Sequence, residues 1–125
     1  MKRILLVEEN GNLKKTFDSS PKSGDWEILV PRESSKNLRW IFDAIPDLIV
    51  ADITSMKDST VELLLYLNNE LFSSIPFLLI TSNRKIENSE FYKTGIYYLI
   101  RPYKTAQLID RIDEILRKTE TKNPW

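Results

Sequence analysis

Cysteine and histidine are both missing from the 125 residues. Without cysteine there is no disulfide, no thiolate nucleophile and no zinc-thiolate site, and the absence is neutral as to compartment. Without histidine there is no Ser-His-Asp or Cys-His triad, no histidine-ligated metal and no phosphohistidine carrier. Net charge is absent too: eighteen basic and eighteen acidic residues cancel, so no overall field recommends nucleic acid or an anionic membrane as a partner. Long hydrophobic runs are also lacking. The start, MKRILLVEEN, carries two basic residues and a single four-residue apolar run before two glutamates, too short for a signal peptide or a membrane span. A glycine-rich phosphate loop is not found either. The first apolar run leads into EENGNLKK, with neither GxGxxG nor GxxxxGK(S/T), which argues against dinucleotide and P-loop nucleotide binding. The expectation is a soluble, cytoplasmic single domain whose 42% hydrophobic content supplies a real core.

What is present is an alternation. Apolar runs at Ile4 to Val7, Trp26 to Val30, Leu48 to Ala51, Phe77 to Ile80 and Ile96 to Ile100 read as five strands. Between them lie helical segments. Leu13 and Phe17 at i, i+4 give a short first helix that closes at Ser19-Ser20-Pro21. Leu38, Ile41, Phe42 and Ile45 form an amphipathic stripe after Ser35, stopped by Pro46. Ser59 and Glu62 make a capping box ahead of Leu64, Leu65, Leu67 and Leu71. The segment from Arg84 to Lys93 is weakly periodic and stops at Gly95. From Thr105, a candidate cap, Leu108, Ile109, Ile112, Ile115 and Leu116 carry the last helix, which ends near Lys118. This order predicts an α/β fold: a doubly wound (βα)5, flavodoxin-like architecture with a five-stranded parallel sheet of order 2-1-3-4-5 and helices on both faces. Residues 1–119 make the domain and 120–125 a polar C-terminal tail.

The stretch PDLIVADITSMK is its expected centre. An unbroken apolar run fits a strand buried on both faces, and Asp52 stands at its carboxyl end, the edge where open α/β sheets bind ligands. The same edge receives Glu8 and Glu9 from the first strand, Thr81 and Ser82 from the fourth, and Arg101 from the fifth. Three crowded carboxylates repel one another, and a hard cation such as Mg²⁺ relieves that repulsion through oxygen ligation. Arg101 and the Thr81 hydroxyl suit phosphoryl oxygens, and Asp52 suits the nucleophile of a phosphoryl transfer that forms an acyl phosphate.

These residues, in the stretches KRILLVEEN, PDLIVADI, FLLITSN and YLIRPY, resemble the receiver domain of two-component response regulators over essentially the whole chain. The resemblance implies an acidic pair at Glu8 and Glu9, a phosphoacceptor at Asp52, a hydroxyl residue at Thr81, and Arg101-Pro102-Tyr103 in place of Lys-Pro-Phe. It also implies a switch aromatic at Tyr98, and a Mg²⁺ ion held by Glu8, Glu9, Asp52 and the backbone carbonyl of Thr54. The chain departs from the family pattern at Glu9, where aspartate is usual, and at Arg101, whose planar fork is not interchangeable with a lysine ammonium. It also departs at Met56 and Thr60, where the family usually has proline and glycine. Such departures resemble those of pseudo-receivers.

The resemblance implies a protein that accepts a phosphoryl group on Asp52 from a histidine kinase or phosphotransfer protein. The charge would draw Thr81 inward, bury Tyr98 and switch the face made by the fourth helix, fifth strand and fifth helix for a downstream protein partner. It would be no enzyme of a free substrate, showing only slow autodephosphorylation, and would be a monomer or weak homodimer; with no output domain expected after the last helix, it would either signal by docking alone or be one domain of something longer. The alternative is a pseudo-receiver, a phosphorylation-independent protein-interaction module. A haloacid-dehalogenase-type phosphatase would need a second acid where Thr54 stands.

Overall fold

The computed structural model describes residues 1–8, 11–20, 24–30, 45–55, 75–82 and 96–121. Its strands are β1 (Lys2–Val7), β2 (Trp26–Leu29), β3 (Leu48–Asp52), β4 (Phe77–Thr81) and β5 (Ile96–Ile100); its helices are α1 (Asn12–Asp18) and α2 (Thr105–Thr121), with a 3-10 turn at Ile53–Ser55 after β3. The five strands form one sheet in the order β2-β1-β3-β4-β5, and every neighbouring pair is parallel. This is the doubly wound architecture expected from the alternation. The helices expected after Ser35, after Ser59 and at 84–93 lie outside the described residues.

The central strands show why the apolar runs are unbroken. Every residue of β3 and of β4 is buried, because a central parallel strand has no face left for water. Side chains alternate between two cores, as the two-residue period of a strand requires. Ile4, Leu6, Leu48, Val50, Leu78 and Ile80 share one core with Leu13 and Phe17 of α1 and with Leu108, Ile112 and Ile115 of α2. Leu5, Val7, Ile49, Ala51, Phe77, Leu79, Ile96 and Tyr98 form the other. Trp26 meets Phe17 edge-on at 6.2 Å between ring centres, so β2 is docked on the α1 side. Among the described residues no helix is long and apolar enough to cross a membrane.

Three differences from the expected elements have local causes. Ile45 does not continue a buried stripe: it is 71% exposed and has φ 45°, a left-handed conformation unusual for a β-branched residue. The next residue, Pro46, is buried and disfavours a helical conformation at Ile45, so the chain turns out of any helix before it reaches β3. At the other end, α2 runs two residues into the segment expected to be tail. Ion pairs one turn apart, Arg117 to Asp113 and Lys118 to Glu114, support its last turns. Its start is also shifted by one residue from a Thr105 cap: the Lys104 N–H donates to Gln107 Oε1 at 2.7 Å, half of a capping box made by glutamine.

Candidate functional site

Parallel pairing brings the chemistry-bearing residues to one edge. Asp52 is the last residue of β3 and stands opposite Ile80; Thr81 ends β4 opposite Ile100; Arg101 follows directly. Glu8 comes one step after Val7, which is registered to Ala51 beside Asp52. The Arg101 N–H donates to the Thr81 carbonyl at 2.8 Å, extending the ladder by one bond and fixing where the arginine side chain begins. The Arg101–Pro102 peptide is cis.

Asp52 is 1% exposed, and both its oxygens are engaged. Arg101 Nη2 donates to Oδ2 at 2.5 Å. The Thr54 N–H donates to Oδ1 at 3.1 Å, the two-residue-ahead bond that aspartate makes to initiate a turn. The Thr54 hydroxyl donates a long bond, 3.4 Å, to the Ile80 carbonyl, tying that turn to β4. A buried carboxylate is tolerated only when paired and hydrogen-bonded, and here the chain supplies both partners.

Sequence reasoning placed Glu8 in an acidic cluster; the structure shows it also capping α1. Its Oε1 accepts from the Leu13 N–H at 2.8 Å and its Oε2 from the Lys14 N–H at 3.0 Å. The N-cap position is Gly11, with φ 75° and no side chain to cap the helix. Glycine is suited to that left-handed backbone, and the orphan N–H groups of the first turn are satisfied from five and six residues upstream instead. The signal was in the sequence: a helix that opens on glycine must find its cap elsewhere, and Glu8 is within reach.

Tyr103 was expected only to complete a motif. Its ring lies 5.3 Å from the Arg101 guanidinium carbon, in the range of a cation–π contact. Burial pushes the phenol above the ordinary tyrosine value; Arg101 opposes the rise, while the negative charges of Asp52 and Glu8 add to it. Thr81 is 5% exposed and Tyr98 8%, so the aromatic expected to bury on switching is already inward, packed with the second core. Tyr97, by contrast, is half-buried on the first core with Arg111 and Lys118 of α2 over its ring at 5.3 and 6.0 Å.

Glu9 lies outside the described residues. Among the described residues no cluster of three His, Cys, Asp or Glu is placed to hold a metal ion. The two described carboxylates do not fit a divalent ion as they stand: one ion-paired to a guanidinium, the other spent on two backbone N–H groups.

The sheet order and this edge define a doubly wound, flavodoxin-like α/β fold with its site at the carboxyl ends of the strands. Within that class, the solved structures that resemble the chain include response regulator receiver domains, CheY-like in fold. A CheY-like receiver domain protein from Methanospirillum hungatei superposes with TM-score 0.79 at 22% identity, covering 98% of this chain and 99% of its own. The chemotaxis response regulator CheY4 of Vibrio cholerae gives 0.73 at 15%, covering 92% and 98%. NtrX from Brucella abortus gives 0.74 at 20%, covering 98% of this chain and 29% of its own, so there the same fold is one part of a longer protein. No protein-family model and no curated relative matches the sequence.

Proposed function

We propose that the chain is a receiver module of two-component signalling with Asp52 as its phosphoacceptor. The observation that carries this reading is the Asp52–Arg101 pair at the carboxyl end of the central strand, with Thr81 at the end of the neighbouring strand. In the proposed reaction an Asp52 carboxylate oxygen attacks the phosphorus of a phosphohistidine on a kinase or phosphotransfer partner. The P–N bond breaks, its electron pair returns to the imidazole, which takes up a proton, and an acyl phosphate remains on Asp52. Arg101 must first release Oδ2; it can then hold the transferred phosphoryl oxygens, with the Thr81 hydroxyl approaching from the next strand. No turnover of a free substrate is involved, only slow hydrolysis of the acyl phosphate. The readout is the face of β5 and α2, where Tyr97, Arg111 and Lys118 meet, offered to a protein partner in the cytoplasm.

A second reading, a constitutive interaction module without phosphoryl chemistry, is favoured by one observation: Asp52 is 1% exposed with both oxygens engaged. Intact mass after incubation with a small-molecule phosphodonor, with and without Mg²⁺ and beside Asp52→Ala, separates the two. One added phosphoryl group that requires Asp52 supports the acceptor. No addition, together with no spectroscopic response to beryllofluoride, leaves the interaction module.

A further inference from the structure

We propose that the Arg101 guanidinium is the resident cation of this pocket: in contact with the Asp52 carboxylate and over the Tyr103 ring, it supplies the charge that would otherwise draw a divalent ion to Asp52, and such an ion binds Asp52 tightly only when the guanidinium is removed. This deepens the receiver reading and rests on it for the identity of the pocket.

Three observations carry it. The first is charge balance. A carboxylate that is 1% exposed needs a counter-charge within the protein, and Arg101 Nη2 supplies it in direct contact. The second is the fate of the other described carboxylate, Glu8, whose two oxygens each accept a backbone N–H of α1; recruiting it to a metal would strip the first turn of that helix. The third is the way the guanidinium is held. Its edge donates to Asp52 while the Tyr103 ring lies 5.3 Å from its central carbon, and its backbone is pinned to Thr81. Only a planar, delocalised cation with a fork of donors can stack and donate in plane at once; an ammonium on a flexible stem cannot. Arginine in place of the family lysine and tyrosine after the proline therefore work as a pair. The charge of Arg101, whose side chain is 34% open to solvent, repels any divalent ion approaching Asp52.

The test is Mn²⁺ binding to the unphosphorylated full chain, read as loss of the free-ion electron paramagnetic resonance signal. Arg101→Gln, which removes the charge and keeps an amide donor, is expected to bind Mn²⁺ at least roughly tenfold more tightly than the wild type, and Arg101→Gln/Asp52→Asn to lose that gain. Equal affinity in wild type and Arg101→Gln overturns the proposal, as does a gain that survives Asp52→Asn. A second measurement needs no substitution. With Tyr103 5.3 Å from the guanidinium carbon, the Arg101 Nε–H resonance is expected to carry a ring-current shift that Mg²⁺ leaves unchanged; its collapse on adding Mg²⁺ overturns the resident-cation role. Neither measurement uses a phosphoryl donor, so a chain that never accepts phosphate can still pass, and one that fails can still be phosphorylated.

Discussion

The two edges of the sheet carry the same chemistry in opposite surroundings. At the amino-terminal edge Arg3 pairs with Glu27 across the directly opposed residues of β1 and β2, 3.1 Å apart and with 44% and 46% of the side chains exposed. Nearby, Asp47 accepts from the Arg3 N–H at 2.7 Å. At the carboxyl-terminal edge Arg101 pairs with Asp52, which is 1% exposed, and Glu8 accepts from two N–H groups. Among the described residues, each edge thus shows an arginine–carboxylate pair beside a carboxylate that holds backbone N–H groups. What differs is water. An exposed pair contributes little, because solvent already serves both ions, whereas a buried carboxylate depends on its partner for its charge. Burial, not residue type, sets the two edges apart.

The sharpest test is to cut both pairs the same way. Arg101→Gln is expected to lower unfolding free energy by about 2–3 kcal/mol, somewhat below the fully buried case because the guanidinium remains partly exposed. Arg3→Gln is expected to cost less than about 1 kcal/mol. Denaturant midpoints at unchanged slope read both. Adding Asp52→Asn to Arg101→Gln should restore most of the loss, since the buried charge is then gone. If the two single variants are equally destabilised, burial is not what separates the edges.

The backbone-holding carboxylates extend the test. Glu8→Ala removes the acceptor for two N–H groups of α1 and should cost about 1–2 kcal/mol, the range of a lost helix cap. Asp47→Ala removes one N–H acceptor and should cost about 1 kcal/mol. Thermal melts should keep that order; a larger loss at Asp47 would reverse the assignment of the carboxyl-terminal edge as the more tightly held.

A pH titration probes the buried edge without touching its ion pair. Because Tyr103 is raised above the ordinary tyrosine value in the folded chain, the folded protein keeps a phenolic proton that the unfolded chain releases. Stability from this source is complete below about pH 10 and falls as pH rises from there through the folded value. Tyr103→Phe should flatten that part of the alkaline loss relative to wild type in parallel melts. An identical alkaline profile for both would remove Tyr103 from the electrostatics of the site.

Most of this architecture was legible in the chain. Unbroken runs such as LIVA and FLLI announce strands buried on both faces, and their ends name Asp52, Thr81 and Arg101 as neighbours once the sheet order is set. What periodicity could not show is where side-chain oxygens go. Glu8 and Asp52 look alike in sequence, two carboxylates after apolar runs, but one is drawn to the open first turn of a helix that begins on Gly11 and the other to a guanidinium arriving from 49 residues away. Ile45 looked like the next position of a helical stripe; Pro46 decided otherwise. Tyr103 read only as the end of its motif because a cation–π contact leaves no periodic trace.

The smallest effect decides the most general point. A double-mutant cycle on Arg3 and Glu27 should give a coupling of about 0.5 kcal/mol or less, vanishing as salt is raised past the point where the screening length falls below a few ångströms, about 1 M. The same cycle on Arg101 and Asp52 should give a larger coupling that persists at that salt, because no counterion reaches a carboxylate that is 1% exposed. If salt erased both couplings alike, Asp52 would be hydrated in solution and open to ions, and the resident-cation role of Arg101 would lose its premise. If only the exposed coupling fades, the carboxyl-terminal edge is a closed electrostatic unit, and the proposed phosphoryl transfer must first open it.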